Sequence, residues 1–178
     1  MVRTRLTKSG KTDFPISLLR RAAAYGIDLY LGTLCATLPV SIITYVILGE
    51  ITQNVFLLEK STAILSLLLS LLALFVYYMI TPLKLLKGQT LGKKIMHIQI
   101  CFDNNKSLIV RQLVMMIFFT TLTKIWTQLL ILITGVEVLY IINEIIMPIS
   151  FLSVITMLIN KEHLALHDRV SKTDLKKI

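Results

Sequence analysis

From Ser17 to Leu48 the chain is uncharged save for Arg20, Arg21 and Asp28, and this run exceeds the ~20 residues that cross a bilayer core. On a helix, Arg21 and Asp28 are two turns apart, on one face, with an axial gap of roughly 10 Å. An aspartate at that depth costs about 2.5–3.5 kcal/mol on insertion scales. The run therefore predicts a membrane helix whose acid faces water or protein, not lipid.

The rest of the chain agrees with that class. Its 178 residues are 55% hydrophobic with mean hydropathy +0.76, against ~45–50% apolar residues in soluble domains. Ala63 to Ile80 carries no charge, and a third long stretch runs from Leu108 to Gly135. Cys35 lies in the first apolar run and Cys101 in a basic loop, which argues against a disulfide between them. The basic start followed by an apolar run resembles a signal peptide. The run is too long for one, holds Asp28 and lacks a small-residue cleavage site, so retention is expected.

In order, residues 1–16 form a basic segment ahead of the membrane domain. Four spans are expected within residues 17–160: Ser17–Leu48, Ser61–Ile80 with Pro82 ending or kinking it, Leu108–Thr134, and Val136–Asn160 bent at Pro148. Residues 161–178 form a short basic tail. Ala22 and Gly26, then Gly32 and Ala36, place small residues at four-residue spacing for close helix contact. All but Lys60 and Lys124 of the 19 basic residues fall in the N-terminal flank, the loop between the second and third spans, or the tail. That bias puts both termini in the cytoplasm of a multi-pass cell-membrane protein, its basic face toward anionic lipid headgroups. The net charge of +9 brackets membrane spans and is not interleaved with stacking aromatics, so nucleic acid is not expected as a partner.

The loop from Lys84 to Lys106 holds Gly88-Gln89-Thr90-Leu91-Gly92-Lys93-Lys94 and then an alternating stretch. Ile98, Ile100 and Phe102 fall on one side and His97, Gln99 and Cys101 on the other, which predicts a short strand and an Asp/Asn turn. The fold class expected is an all-α membrane protein: a four-span bundle with a small cytoplasmic β-hairpin-like loop.

Three motifs occur in order: Arg-Arg-Ala-Ala-Ala-Tyr-Gly-Ile-Asp at 20–28, Gly-Gln-Thr-Leu-Gly-Lys-Lys at 88–94 and Leu-His-Asp-Arg-Val-Ser-Lys-Thr at 166–173. Together they resemble the RDD family of membrane proteins, over about Leu18 to Thr173. Leu18-Leu19 and Asn104-Asn105 depart from the pattern, where an aromatic residue and a glycine turn are common. The resemblance places the family's arginine at Arg21 and its two aspartates at Asp28 and Asp168. It implies membrane transport of an unspecified ligand, with cation/proton exchange for some members.

The residues allow several pairings. Asp168, beyond the fourth span, can fold back to Arg20 or Arg21, and a bidentate Arg21–Asp168 pair would clasp the tail to the bundle. Asp28 is either an ion- or proton-loading carboxylate or a hydrogen-bonded helix contact, with Tyr25 or third-span threonines as partners. Arg111 opens the third span, where Thr120, Lys124, Thr127 and Gln128 make a polar stripe; Lys124 and Glu144 lie at similar depth and are expected to pair. Gly88, Thr90, Gly92 and Lys93 offer amides and a cation for a phosphate or lipid headgroup, or simply a glycine turn at the surface. His163 and His167 lack a convincing third ligand, so no metal or cofactor is expected. No nucleophile–base pair is evident, and an enzyme is not expected. The leading expectation is a transport-related protein centred on Arg21, Asp28 and Asp168, completed by a homo-oligomer or a membrane protein partner. The alternative is a non-transporting accessory or regulatory subunit.

Overall fold

The computed structural model describes residues 16–86, 88–102, 104–119, 122–136 and 173–177, with isolated positions between 148 and 171. The described chain is mostly helical. Helix α1 spans Leu18–Leu48, with Ser17 as N-cap and Gly49 ending it in the left-handed conformation at φ 77°. Its buried residues are Arg21, Ala24, Asp28, Gly32, Ala36, Val40 and Thr44, a single stripe of mostly four-residue steps. Leu31, Cys35 and Ile43 flank it half-buried, and Tyr30, Leu38, Ile42 and Tyr45 are exposed. A helix apolar all round that buries one stripe against protein fits a span whose other sides meet lipid.

Helix α2 covers Lys60–Phe75 and runs on without a break as a π-helix over Val76–Leu85. Within that segment the Leu86 amide donates to the Thr81 carbonyl at 2.9 Å and the Thr81 hydroxyl to the Val76 carbonyl at 3.1 Å. Pro82 therefore does not end the helix, the first of the two outcomes the sequence allowed. The wider turn makes room for a residue that lacks an amide hydrogen and would crowd an α-helical turn. Continued this way, the second span reaches 26 residues.

Helix α3 is a single short turn, Leu91–Ile95, and leads to strand β1 at Ile98–Cys101. Helix α4 spans Asn105–Phe119 and α5 spans Leu122–Thr134. The third span, expected over Leu108–Thr134, is helical on both sides of positions 120–121, which lie outside the described residues. Among the described residues, α1 and the Lys60–Leu85 helix are long and apolar enough to cross a bilayer. The fourth span expected at Val136–Asn160 lies outside the described residues except at isolated positions, as does the N-terminal segment before Ile16.

The strand expected over His97–Phe102 forms at Ile98–Cys101, and among the described residues it makes no hairpin within its own loop. Its partner is β2, Asp174–Lys177, paired antiparallel with Ile98 opposite Lys177 and Ile100 opposite Leu175. Ile98 and Ile100 are buried, as the alternation requires, and Ile98 packs with Ile16, Ala24, Met96 and Leu175. The two-stranded sheet therefore sits against the first turns of α1. The larger core joins α1, α2, α4 and α5 through residues such as Ala36, Leu67, Leu74, Tyr78, Met115 and Leu129.

Candidate functional site

Asp28 is fully buried, and its carboxylate is met by donors from two other elements. Oδ1 accepts the Tyr77 hydroxyl at 2.9 Å and the Gly92 amide at 2.8 Å. Oδ2 accepts the Thr90 hydroxyl and the Lys93 ammonium, the latter at 3.1 Å. Two donors on each oxygen fill the lone-pair sites a carboxylate offers, and the cation completes a buried ion pair. Lys93 Nζ also lies 3.0 Å from Thr90 Oγ1. Thr90 thus donates to the acid and accepts from the ammonium, linking both.

Each partner is placed by a local feature. The π-helical turns aim two successive tyrosines at α1: Tyr77 reaches the Asp28 side chain and Tyr78 donates to the Asp28 carbonyl at 2.9 Å. Their rings meet edge to face, with centroids 4.8 Å apart. Tyr78 lies over Gly32, where an added Cβ would come within 2.7 Å of the Tyr78 ring. Thr90 is the N-cap of α3, and Gly92 brings the α3 backbone onto α1; a Cβ there would fall 2.9 Å from Asp28 Cγ and overlap the Ala24 carbonyl. Gly88 turns the loop at φ 89° beneath Phe102. The Ile100 amide donates to the Gly88 carbonyl, and Gln89 Nε2 donates to the Ile98 carbonyl at 2.9 Å, tying this loop to β1.

The arrangement revises several readings from sequence. Gly88, Thr90, Gly92 and Lys93 belong to one loop, and the last three donate to Asp28. Tyr25 is 36% exposed and is not among the hydrogen-bond partners of the Asp28 carboxylate, and neither are the threonines of α5. Arg21 is buried on the Asp28 face of α1, as its spacing requires, and Arg20 is half-buried beside it. Arg111 is buried on α4, 1% exposed, next to the buried Gln112. Lys124 is exposed while Thr127 is buried, so the expected polar stripe does not form one face; α5 turns Ile125, Thr127 and Leu129 inward. Asp168 and Glu144 lie outside the described residues, and with them the Arg21–Asp168 clasp, the Lys124–Glu144 pair and the two histidines. From the third motif, Ser171 and Thr173 are buried with their hydroxyls 2.8 Å apart, just before β2.

Tyr77 and Tyr78 were not singled out from sequence. Their signal was faint: two adjacent phenols in an apolar run shortly before a proline.

Searches of curated proteins and of solved structures found no match. The model of one family does match, over residues 15–172, which takes in α1 with Asp28, the loop with Lys93 and the segment leading to β2. With bilayer-length apolar helices and this match over most of its length, the chain is an integral membrane protein and belongs to the RDD family.

Proposed function

We propose that this protein takes part in moving a small cation or a proton across the cell membrane, and that Asp28 is the group that loads it. The observation that supports this most is a fully buried carboxylate, on a membrane-length helix, whose counter-charge is a lysine on a separate short loop. A proton or cation arriving at such an acid competes with the lysine for it. Occupancy of Asp28 is thereby coupled to the position of the 88–94 loop. Both termini and this loop lie on the cytoplasmic side in this reading, following the distribution of basic residues. A homo-oligomer completes the path, since inverted repeats, the usual mark of a self-sufficient transporter, are not visible in the sequence. Purified protein in liposomes tests the reading: an imposed cation or proton gradient should dissipate with wild type and persist with Asp28→Asn. Flux that survives Asp28→Asn removes the loading role.

A second reading, an accessory subunit of a larger membrane machine, draws on a different feature. Between α1 and the second span lies an open apolar groove of about 590 Å³ lined by residues including Cys35, Pro39, Ile42, Leu72 and Val76. A partner's apolar helix fits such a surface. A stable co-purifying partner, with no flux from the isolated chain, favours this reading over the first.

A further inference from the structure

We propose that Lys93 is a tethered cation occupying the seat that a monovalent metal ion takes at Asp28, so that the ion and the lysine exclude one another. The proposal rests on the transport reading above, and it assigns to that reading a built-in competitor. Lys93 Nζ sits between two oxygens, Asp28 Oδ2 at 3.1 Å and Thr90 Oγ1 at 3.0 Å. One is anionic and the other a hydroxyl, a pair suited to a hard, singly charged cation as well as to an ammonium. The Lys93 side chain is 9% exposed and that of the acid fully buried, so the lysine reaches the seat from the rim of the protein interior, the side from which an ion would arrive.

Geometry makes the exchange a loop movement. Lys93 follows directly on Gly92, whose amide holds Asp28 Oδ1, and Thr90 holds Oδ2. Withdrawing the ammonium pulls on the same short turn that supplies two other donors to the acid. The incoming ion supplies the charge the lysine removes, and the Tyr77 hydroxyl, on a different helix, stays with the carboxylate. Other polar groups nearby among the described residues include Tyr78, bonded to the Asp28 carbonyl, and Arg21, two turns away on the same helix face.

The test uses the full chain in detergent, with NaCl or KCl compared against choline chloride at equal ionic strength. Amine-specific labelling of Lys93, read by peptide mass spectrometry against the exposed Lys94, should rise at least about twofold in Na⁺ or K⁺, since the displaced amine becomes reactive. In Lys93→Gln the vacated seat should take the metal ion directly, giving a Na⁺- or K⁺-dependent rise in Tm of roughly 3 °C or more. That rise should vanish in Asp28→Asn/Lys93→Gln. Labelling indifferent to Na⁺ and K⁺ in the wild-type protein overturns the proposal, whether or not Lys93→Gln folds. A Tm rise that persists without Asp28 overturns it as well. Neither arm measures flux: an ion-sensitive Lys93 in a protein that moves nothing refutes the transport reading alone. Flux alongside an ion-insensitive Lys93 refutes only the tether.

Discussion

The Gly92 amide donates to Asp28 Oδ1 at 2.8 Å, and the position has no space for a side chain: a Cβ would stand 2.9 Å from Asp28 Cγ and press on the α1 backbone at Ala24. Gly92→Ala therefore has to lift α3 off α1. Overpacking of this kind costs about 1–3 kcal/mol, with the lost amide bond to a charged acceptor added. Gly26, also on α1, has nothing within 4 Å of its Cβ position. Thermal unfolding in detergent should show a clear drop for Gly92→Ala and a change within about 0.5 kcal/mol for Gly26→Ala.

Removing Lys93 takes from the fully buried Asp28 the cation paired with it, and removing Asp28 takes from Lys93 an anion in a largely dry site. Such one-sided removals cost about 3–5 kcal/mol, and the low end applies here because Lys93 sits at the rim. Asp28→Asn adds a second conflict, since its amide hydrogens face donors on whichever side they point. The double variant Asp28→Asn/Lys93→Gln should be less damaging than the two single losses added, by about 1 kcal/mol or more. Strict additivity in a double-mutant cycle would mean that the two charges do not stabilise one another.

The two tyrosines should differ in kind. Tyr77→Phe removes a donor to a carboxylate, a bond worth about 1.5–3 kcal/mol, and Tyr78→Phe removes a donor to a neutral carbonyl, worth about 1 kcal/mol. Under the transport reading, Tyr77→Phe also changes flux or ion sensitivity at Asp28, while Tyr78→Phe changes stability alone. Equal effects on both measurements would place the two hydroxyls in one structural role.

How far the sequence foretold this site depended on distance along the chain. The first span, the shared face of Arg21 and Asp28 and the inward side of Ile98 and Ile100 follow from local periodicity, and all appear as expected. Of the two small-residue pairs, Gly32 and Ala36 are buried under the second span, whereas Ala22 and Gly26 are exposed. Spacing alone does not say which face meets protein. The partners of Asp28 lie 49 to 65 residues away, and no helical period relates such positions. The amides and lysine of 88–94 suit an anion, but nothing in that motif names Asp28 as the anion. The partner of β1 escaped notice because a four-residue strand reveals its register only when the other strand is known.

Because β2 pairs with β1, and β1 holds the 88–94 loop through Gly88 and Gln89, the C-terminal strand should steady the Asp28 site from a distance. Lys176→Pro removes from the ladder the amide opposite Gln99, on the edge of β1 that faces away from Gly88 and Gln89. Amide exchange across Ile98–Cys101 and Gly88–Lys93 should then speed up about tenfold, equivalent to ~1.4 kcal/mol of lost protection. Exchange near Thr44, at the far end of α1, should not change. If Gly88–Lys93 stays protected, the sheet does not support the loop.

Gln112 offers the opposite expectation, a gain in stability. It is fully buried on α4, and among the described residues neither its amide nitrogen nor its amide oxygen has a hydrogen-bond partner. A buried polar group left unsatisfied costs about 1–3 kcal/mol, whereas an apolar side chain of similar size carries no such cost. The neighbouring buried residues on the same helix face, Leu108, Met115 and Met116, supply an apolar setting for the replacement. Gln112→Leu should therefore raise the unfolding temperature in detergent, with Gln112→Glu lowering it, since a second ionisable group there has still more to lose from burial. If Gln112→Leu proves destabilising, the amide is engaged in the working protein, and a polar ligand or water held there becomes the explanation to pursue.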